Sequence, residues 1–412
     1  MLADSSDIEL LPRTIEQVLR EASGIFKVIL LTGMREAGKR TALSHVFGKG
    51  RNQASLDDYL TLEAAENAPS SFFINHPIPV CVNEIQRTPG FLRQVKAEVD
   101  KRDGNGLVLL TGTQRFELMR GVSESLAGRM KAFELMPLSI YEREGKGLLQ
   151  KPYLPRPVPP SVLATRGSDE TWETIWQGAW PRVMYLEANE RNQFFGSLVQ
   201  SYLERDVQRE FGVTKLIGFH RFLRVLASRT GQELRYGALA REAGVAENTI
   251  RKWLRIAEAT GVVYFLMPYF ANIGKQLVRS PKVYFTDTGL AAYLCGYSTP
   301  EALRDSRDSG AFFETFVVME ILKSWVHNGE RPELSFYRDS NSGAEIDLLI
   351  RSDRTLHPVE IKLAAQPDRH AARNFSVLKS LPEPIGHGAV VCLAPKPYGI
   401  TDRCTAHSVW SI

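Results

Sequence analysis

A nine-residue stretch with two glycines and a lysine constrains this 412-residue chain more than any other feature. It reads Gly33-Met34-Arg35-Glu36-Ala37-Gly38-Lys39-Arg40-Thr41, follows the apolar run Phe26 to Leu31, and leads into helix-compatible sequence, Thr41 to Phe47. Glycines at this spacing let successive backbone N–H groups surround an anion, and the lysine supplies a positive charge for the outer phosphates. The order of strand, loop and helix predicts a P-loop that binds a nucleoside triphosphate, with ATP as the expected ligand.

Two positions of this predicted site depart from an intact P-loop. The residue after the lysine is Arg40, where Ser or Thr would coordinate Mg²⁺, and Thr41 lies about 100° further around the helix axis. A second apolar run, Val80 to Val82, leads into Asn83 and Glu84, where two acids would be expected. Glu84 keeps the position that polarises the attacking water, but Asn83 is neutral and holds a divalent cation less well. These departures predict nucleotide binding with weak Mg²⁺ binding and slow or absent hydrolysis.

A third apolar run, Leu107 to Leu110, ends in Thr111-Gly112-Thr113-Gln114. Strand-like runs that alternate with helical or loop sequence predict a parallel sheet covered on both faces. Thr113 is a candidate to reach the γ-phosphate from the end of this strand. A simple strand-ending turn explains the same residues equally well.

Several long motifs resemble those of archaeal and bacterial AAA-family ATPases that carry a C-terminal domain of unknown function. They are Phe26 to Thr41, Val82-Asn83-Glu84-Ile85-Gln86-Arg87, Leu109-Leu110-Thr111-Gly112-Thr113, Gly121-Val122-Ser123-Glu124-Ser125-Leu126-Ala127-Gly128-Arg129, Tyr202-Leu203-Glu204-Arg205-Asp206 and Tyr284-Phe285-Thr286-Asp287-Thr288-Gly289-Leu290. The resemblance covers nearly the whole chain and implies an AAA-like module, a winged-helix segment and a restriction-endonuclease-like C-terminal fold. It also implies that Arg129 senses phosphate or acts as a finger arginine, although a surface ion pair is an equal explanation. The family usually has a hydroxyl and an acid where this chain has Arg40 and Asn83.

The middle of the chain is basic. Residues 201–282 hold 14 Lys and Arg against 7 Asp and Glu, a net charge of +7, so the rest of the chain carries −3 of the total +4. A basic segment suits a polyanionic partner, although a solvated basic surface is an equal explanation. Four widely spaced cysteines without a C-x-x-C pair argue against a zinc site and a disulfide framework.

A helix-turn-helix pattern lies within this basic segment, from Leu239 to Leu254. Gly244 takes the turn, and Val245, Ile250 and Trp253 give the second helix a buried face. The polar face of that helix carries the predicted DNA-binding residues Asn248, Arg251, Lys252 and Arg255. The apolar runs at 262–266 and 283–285 would form a wing. The same geometry also serves as a lid or a protein-docking module.

Near the C-terminus, two strand-like runs at 345–350 and 358–363 carry acids and a lysine. Strand side chains alternate, so Glu360 and Lys362 share one face, and Asp347 joins them if the two strands form a hairpin. Two carboxylates with a lysine are typical of metal-dependent nucleases, although a scaffold with an exposed charged face is the alternative. The predicted metal ligands are Asp347, Glu360 and Glu314, and the predicted catalytic residues are Glu84, Asp347, Glu360 and Lys362.

These patterns predict three modules in an α/β protein. Residues 1–165 form an AAA-like nucleotide-binding domain, residues 166–300 a helical linker with a winged helix, and residues 301–412 a nuclease-like domain. One function hypothesis is an ATP-binding, DNA-directed protein whose nucleotide state gates the C-terminal domain. The alternative is a non-enzymatic, nucleotide-dependent switch or adaptor that binds a protein or DNA partner. The expected partners are a nucleotide, DNA and, through self-association, a second copy of the chain. No signal peptide or membrane span is visible in the sequence, which favours a cytoplasmic protein without a membrane partner.

Overall fold

The computed structural model describes residues 10–48, 50–113, 126–270, 280–339 and 343–412. Gln114, most of the motif at 121–129, and the predicted turn at Asn341 and Ser342 lie outside the described residues. Within the described ranges, no helix is both long enough and apolar enough to span a membrane.

A five-stranded parallel sheet forms the first module, as the alternating strand-like runs predict. Its order is β2-β3-β4-β1-β5, and β1 pairs with β4 from Val28 opposite Val108 to Thr32 opposite Gly112. Parallel strands end at the same edge of a sheet, so the loops that follow β1, β3 and β4 lie side by side. The strands are β1 Val28–Thr32, β2 Asn52–Ser55, β3 Val80–Asn83, β4 Val108–Gly112 and β5 Met130–Glu134.

Helices cover both faces of this sheet. One face packs against α1 and α2 through Ile29, Leu31 and Leu43, and the other packs against α3 to α5 through Leu30 and Val82. The apolar strands are buried on both sides for this reason. The helices are α1 Ile15–Ser23, α2 Lys39–Phe47, α3 Tyr59–Asn67, α4 Pro69–Asn75 and α5 Leu92–Asp100, with 3₁₀ turns at Ile85–Arg87 and Pro89–Phe91.

An irregular segment joins this module to the rest of the chain after α6, Ile140–Arg143, and a 3₁₀ turn, Gly147–Leu149. The proline-rich residues 151–160 form neither helix nor strand, as their composition predicts. This segment is not fully exposed. Tyr153 is buried, and its O–H contacts Nδ1 of His407 at 2.8 Å.

The middle module is helical and ends in a winged helix. Its helices are α7 Ser168–Gln177, α8 Ala188–Ser201, α9 Leu216–Ala227, α10 Tyr236–Ala243 and α11 Glu247–Ala259, with a 3₁₀ helix at Pro181–Tyr185. A π-helix, Tyr202–Glu210, continues directly from α8. Three antiparallel strands complete the winged helix, namely β6 Gln232–Glu233, β7 Val263–Pro268 and β8 Lys282–Phe285. The predicted helix-turn-helix and its strands therefore have the expected order and spacing.

Helices precede the strands of the C-terminal module. α12 Thr288–Cys295 still lies in the middle module, α13 Pro300–Arg304 lies at the boundary, and the long buried α14 Ser309–Val326 follows in the C-terminal module. The strands are β9 Glu333–Arg338, β10 Glu345–Ser352, β11 Thr355–Ile361, β12 Gly388–Cys392, β13 Tyr398–Thr401 and β14 Cys404–Ser408, with 3₁₀ helices at Arg369–Ser380 and Val409–Ser411.

One sheet connects the winged helix to the C-terminal module. Its order is β13-β14-β12-β11-β10-β9-β7-β8-β6, and the link is the parallel pairing of Met267 in β7 with Ser335 in β9. A single large apolar core extends across the same boundary and reaches Met34 and Ala37 in the glycine-rich loop. The middle and C-terminal modules therefore share both a core and a sheet.

Candidate functional site

The loop from Gly33 to Lys39 leaves the end of β1 in a conformation that requires its glycines. Gly33 has φ +147°, and a Cβ atom there would lie 2.1 Å from the Leu135 carbonyl oxygen. Gly38 has φ +90° and caps α2, whose first helical bond runs from the Ala42 N–H to the Gly38 oxygen. The N–H groups of the first turn precede that bond, so they are oriented to bind an anion.

Lys39 is buried beneath this loop, with only 7% of its surface exposed. Its ammonium donates to the carbonyl oxygens of Gly33 and Met34, each at 2.8 Å. Burial lowers the pKa of Lys39 to about 8, and the negative charge of Glu84 partly opposes that shift. A triphosphate that reaches the loop would replace these carbonyl oxygens as the partner of the ammonium.

The two residues that depart from an intact P-loop occupy different environments. Arg40 is exposed on the first turn of α2, as is Thr41. Asn83 is buried, and its side-chain amide donates to the Ala54 oxygen at 3.3 Å and accepts from Thr111 Oγ1 at 3.0 Å. Asn83 therefore connects the ends of three neighbouring strands, and its carbonyl oxygen already has a donor.

A short chain of hydrogen bonds connects β3 to the end of β4. Glu84 adopts a left-handed conformation, φ +61°, and its Oε2 accepts from Gln86 Nε2 at 2.7 Å. Gln86 Oε1 in turn accepts from the Thr113 backbone N–H at 3.2 Å. Thr113 Oγ1 is buried and has no hydrogen-bond partner among the described residues. Thr113 lines a small cavity of about 30 Å³ together with Met34 and Arg35 of the glycine-rich loop.

The sequence predicts no role for Gln86, although it lies within the motif Val82-Asn83-Glu84-Ile85-Gln86-Arg87. Its only sequence signal is its place two residues after Glu84 at the end of a buried strand. The structure shows that it joins the predicted catalytic acid to the predicted γ-phosphate contact.

Arg129 lies at the opposite end of the sheet from the loop. Its backbone oxygen accepts from the Val28 N–H at the start of β1, whereas the loop follows the last residue of that strand. Five strand residues at roughly 3.3 Å each separate the two ends. The guanidinium binds Asp100 Oδ1 at 2.5 Å. This position does not support a contact between Arg129 and phosphates bound to its own chain. Arg129 instead forms a surface ion pair with Asp100, which is the second of the two explanations that the sequence allowed.

Residues of the middle module contact the outer side of the glycine-rich loop and hold it in place. The sequence did not predict these contacts. Arg35 Nη2 binds Asp206 Oδ1 at 2.7 Å, and the Arg35 backbone oxygen accepts from Trp180 Nε1 at 2.9 Å. Burial raises the pKa of Asp206, and the charge of Arg35 opposes the shift. Met34 also packs against Gly261, next to β7. A partner 171 residues away in sequence has no local signal, so only the fold reveals this contact.

The winged helix presents the predicted DNA-binding residues to solvent. Gly244 ends α10 in the left-handed region, at φ +71°, as the turn requires. Ile250 and Trp253 are buried, while Val245 is half-buried in the turn. The exposed residues of α11 include Asn248, Arg251, Lys252 and Arg255. Arg251 binds Glu247 at 2.6 Å and stacks on Tyr236, so part of its charge is already matched.

The predicted C-terminal acids and lysine do come together. The antiparallel register pairs Leu348 with Val359, which places Asp347 directly across from Glu360. The Ile361 N–H donates to Asp347 Oδ2 at 2.9 Å, and Lys362 Nζ donates to Glu360 Oε1 at 2.6 Å. Burial raises the pKa of Glu360 to about 7, and the charge of Asp347 adds to the shift.

Glu314 reaches the same cluster from α14, but its nearest partners differ from the predicted ones. Its Oε1 lies 3.1 Å from Lys282 Nζ and accepts from the Tyr284 hydroxyl at 2.6 Å. Lys282 Nζ also lies 2.7 Å from Glu345 Oε1. Sequence reasoning missed Lys282 and Glu345. Within the described parts of the chain, no group of three or more His, Cys, Asp or Glu is arranged to hold a metal ion, so these acids as placed do not fit the predicted metal site.

Three family models match successive parts of the chain. Residues 26–144 match an AAA domain, residues 168–301 match a domain of unknown function (DUF8612), and residues 309–412 match another (DUF4143). The AAA match contains the whole glycine-rich loop, and the DUF4143 match contains Glu314, Asp347 and Glu360.

Two relatives from mycobacteria are similar to most of this chain. Uncharacterized proteins of Mycobacterium bovis and Mycobacterium tuberculosis are each 29% identical over 350 residues, 85% of this chain and 73% of the relative. Among solved structures, a Walker-type ATPase of Pyrococcus abyssi covers 70% of this chain and 99% of its own, at 14% identity and a TM-score of 0.40. A STAND-type signal-transduction ATPase of Pyrococcus horikoshii covers 78% of this chain and 48% of its own, at 10% identity and a TM-score of 0.27. TM-scores this low support no functional argument.

Proposed function

Since this chain is an AAA-family P-loop ATPase with a C-terminal domain of unknown function, we propose that it acts as an ATP-dependent, DNA-directed switch that hydrolyses ATP slowly or not at all. ATP would bind the loop at Gly33 to Thr41, with Lys39 on the outer phosphates. The bound nucleotide, rather than its turnover, would set the contact between the loop and the middle module. The location we propose for this switch is the cytoplasm.

The observation that carries the proposal is the state of the two residues that would hold Mg²⁺. Arg40 places a cationic, exposed side chain where a hydroxyl is needed, and the Asn83 amide is committed to Ala54 and Thr111. Phosphoryl transfer depends on a metal that bridges the β- and γ-phosphates. Lys39 and the first turn of α2 do not depend on that metal, so binding would survive where catalysis does not.

The direction towards DNA is supported by the middle module. Its strands and helices follow the order of a winged helix, and the exposed face of α11 carries Asn248, Lys252 and Arg255. A recognition helix of this kind enters the major groove, with basic residues on phosphates and an amide on base edges. The alternative is an adaptor that binds a protein instead of DNA. ATP would bind in the same way and would affect the middle module in the same way, and only the partner would differ.

Cleavage by the C-terminal domain is not part of this function. Its acids and lysine come together as the predicted nuclease cluster requires, but Lys282 lies among the acids, and with it in place no group in the described part of the chain is arranged to hold a metal ion. We include self-association in the proposal because of Arg129. This residue lies at the end of the sheet away from the loop, so it would contact a nucleotide only if that nucleotide were bound to a neighbouring copy of the chain.

Calorimetry with ATP tests the proposal, with and without Mg²⁺, alongside a phosphate-release assay. We expect ATP to bind with little dependence on Mg²⁺ and turnover to be close to background. Arg40→Ser combined with Asn83→Asp should restore Mg²⁺ dependence and raise turnover by at least about tenfold, because the pair rebuilds the metal shell. Arg93→Ser on α5, an exposed arginine outside the site, is the control for loss of positive charge.

Two results would contradict the proposal. Wild-type turnover in Mg-ATP at the rate of an intact P-loop ATPase would show that Arg40 and Asn83 do not impair catalysis. No heat of binding with ATP, together with an unchanged Lys39→Ala variant, would remove nucleotide binding and everything built on it.

A further inference from the structure

Lys282 lies inside the C-terminal acid cluster although it belongs to a strand of the winged helix. Only 6% of its side chain is exposed, and its ammonium lies between Glu314 of α14 and Glu345 of β10. On the way it crosses the ring of Phe336 in β9, with Nζ 5.5 Å from the ring centroid. The lysine therefore spans β7 and β9 to reach acids of another module.

The continuous sheet explains this position. β8 pairs with β7, and β7 pairs in parallel with β9, so Lys282 and Glu345 lie on strands of one sheet. The Tyr284 hydroxyl, two residues along β8, donates to the same Glu314 oxygen that contacts Lys282. Alternate residues of one strand therefore bind one acid on α14, which fixes the lysine in place.

Two carboxylates, Glu314 and Glu345, contact this ammonium, and Asp347 and Glu360 complete the same acid cluster, which needs positive charge. Glu314, Glu345, Asp347 and Glu360 would repel one another if they were buried and charged without a cation. Lys282 supplies one positive charge from inside, Lys362, half-exposed, supplies another at Glu360, and Arg338 supplies a third at the outer oxygen of Glu345. Glu360 Oε2 is buried and has no hydrogen-bond partner in the described part of the chain, so one acceptor still faces the cluster unmatched.

We propose that Lys282 occupies the cation position of this cluster, and that a divalent metal binds there only when the lysine is removed. An ammonium 3.1 Å from Glu314 and held by Glu345 at 2.7 Å blocks the space beside the Glu314 carboxylate where a metal would bind. The cluster is thus an ion-pair centre that joins the winged helix to the C-terminal module. Glu314, Asp347 and Glu360 are the ligands it would offer to a metal. This inference does not depend on nucleotide binding.

Mn²⁺ binding to the full-length protein and its Lys282→Met variant tests the proposal. Titration followed by Mn²⁺ electron paramagnetic resonance gives the affinity, and thermal unfolding in Mn²⁺ or EDTA gives an independent readout. Lys282→Met should bind Mn²⁺ at least about tenfold more tightly than the wild type, because a like charge no longer opposes the metal. Its unfolding midpoint should rise with Mn²⁺, while that of the wild type should not. Both gains should disappear in Lys282→Met/Asp347→Asn.

Lys323→Met is the matched control, because Lys323 is also buried and binds Glu320 on the same helix at 2.8 Å. It should lower stability without any gain in Mn²⁺ binding. Asp347-dependent Mn²⁺ binding by the wild type would overturn the proposal, and so would a folded Lys282→Met protein that gains none. If that variant does not fold, Lys282→Met/Glu345→Gln removes one charge of each sign and takes its place. Should both need refolding, rescue by Mn²⁺ supports the proposal and failure of rescue contradicts it.

Discussion

Lys39 is buried, yet it needs a positive charge to bind phosphates. Burial normally disfavours the charged form of a lysine. The loop carbonyls of Gly33 and Met34 accept from its ammonium, and Glu84 adds a favourable charge nearby. These partners only partly offset burial, so the pKa of Lys39 falls to about 8. The charge that a triphosphate needs is therefore sensitive to pH within the range where the protein can be studied.

Affinity for ATP should decrease as pH rises above about 8. Below that pH, the free protein already carries the Lys39 proton, and binding needs no proton uptake. Above it, the free lysine is neutral, phosphate favours the charged form, and each bound ATP must bring in a proton. Affinity should then fall by up to about tenfold per pH unit. Calorimetry at about pH 7 and about pH 9.5, in buffers of different ionisation enthalpy, measures both affinity and proton uptake.

Lys39→Arg is the control, since a guanidinium keeps its charge throughout this range. Its affinity, whatever its absolute value, should not change between the two pH values. Equal wild-type affinities at both, without proton uptake, would show that Lys39 stays charged and would contradict the assigned environment.

Among the secondary-structure elements, those with local signals were predictable. The glycine-rich loop, the turn at Gly244 and the hairpin between β10 and β11 each depend on residues close in sequence. In that hairpin Asp353 and Arg354 both take positive φ, +48° and +61°, which suits a two-residue connection. Asp347 therefore lies opposite Glu360, as the alternation of side chains predicted.

The unpredicted contacts of Lys282 and Asp206 depend on long-range pairing of elements. Lys282 reaches the acids only because β7 pairs with β9, and no residue in either strand predicts that pairing. Asp206 reaches Arg35 from a π-helix that continues α8, a form that is rare and short in most proteins. Neither the sheet order nor a change of helical winding leaves a periodic pattern in the sequence.

Helix α11 should provide the DNA contacts of the winged helix. Lys252→Ala/Arg255→Ala removes two exposed positive charges from its solvent face. DNA affinity should fall by about tenfold or more at low salt, and the slope of log affinity against log salt should shrink by about 2, since two phosphate contacts are lost. Fluorescence anisotropy with labelled duplex at several salt concentrations measures both.

Arg93→Ala/Lys96→Ala on α5 makes the same change of charge on the AAA-family module and should leave the slope unaltered. If the α11 variant binds DNA with wild-type affinity and slope, α11 does not contact DNA, and the winged helix no longer supports DNA direction over the adaptor alternative.

At the scale of the whole molecule, the glycine-rich loop is part of the middle module's packing. Met34 and Ala37 belong to the same apolar core as α9, α11 and α14. Arg35 and Asp206 add an ion pair, and Trp180 holds the loop backbone at Arg35. A nucleotide that changes the conformation of the loop must therefore also change the contacts between the loop and the middle module, which carries the winged helix. If those contacts do not change, they oppose the change in the loop. This arrangement provides a physical path for coupling without hydrolysis.

Coupling between ATP and DNA should disappear when the Arg35–Asp206 pair is removed. In the wild type we expect saturating ATP to change DNA affinity by about 5- to 150-fold, the usual span of coupling between two sites. Asp206→Asn removes the carboxylate charge at nearly constant volume, so the loop can respond to ATP without moving the middle module. The ratio of DNA affinities with and without ATP should then approach 1. Arg35→Ala/Asp206→Asn should match the single variant, because only one contact is lost.

Arg304→Ala is the matched control, since Arg304 pairs with Asp169 at 2.7 Å between α13 and α7, in a pair exposed to solvent and remote from the loop. It should leave the ratio at its wild-type value. Breaking a largely buried ion pair also lowers stability, so unfolding of each variant should be followed in parallel to show that the loss of coupling occurs in folded protein. If Asp206→Asn keeps full coupling, the signal crosses the apolar contacts of Met34 instead, and the ion pair serves only to hold the loop in place.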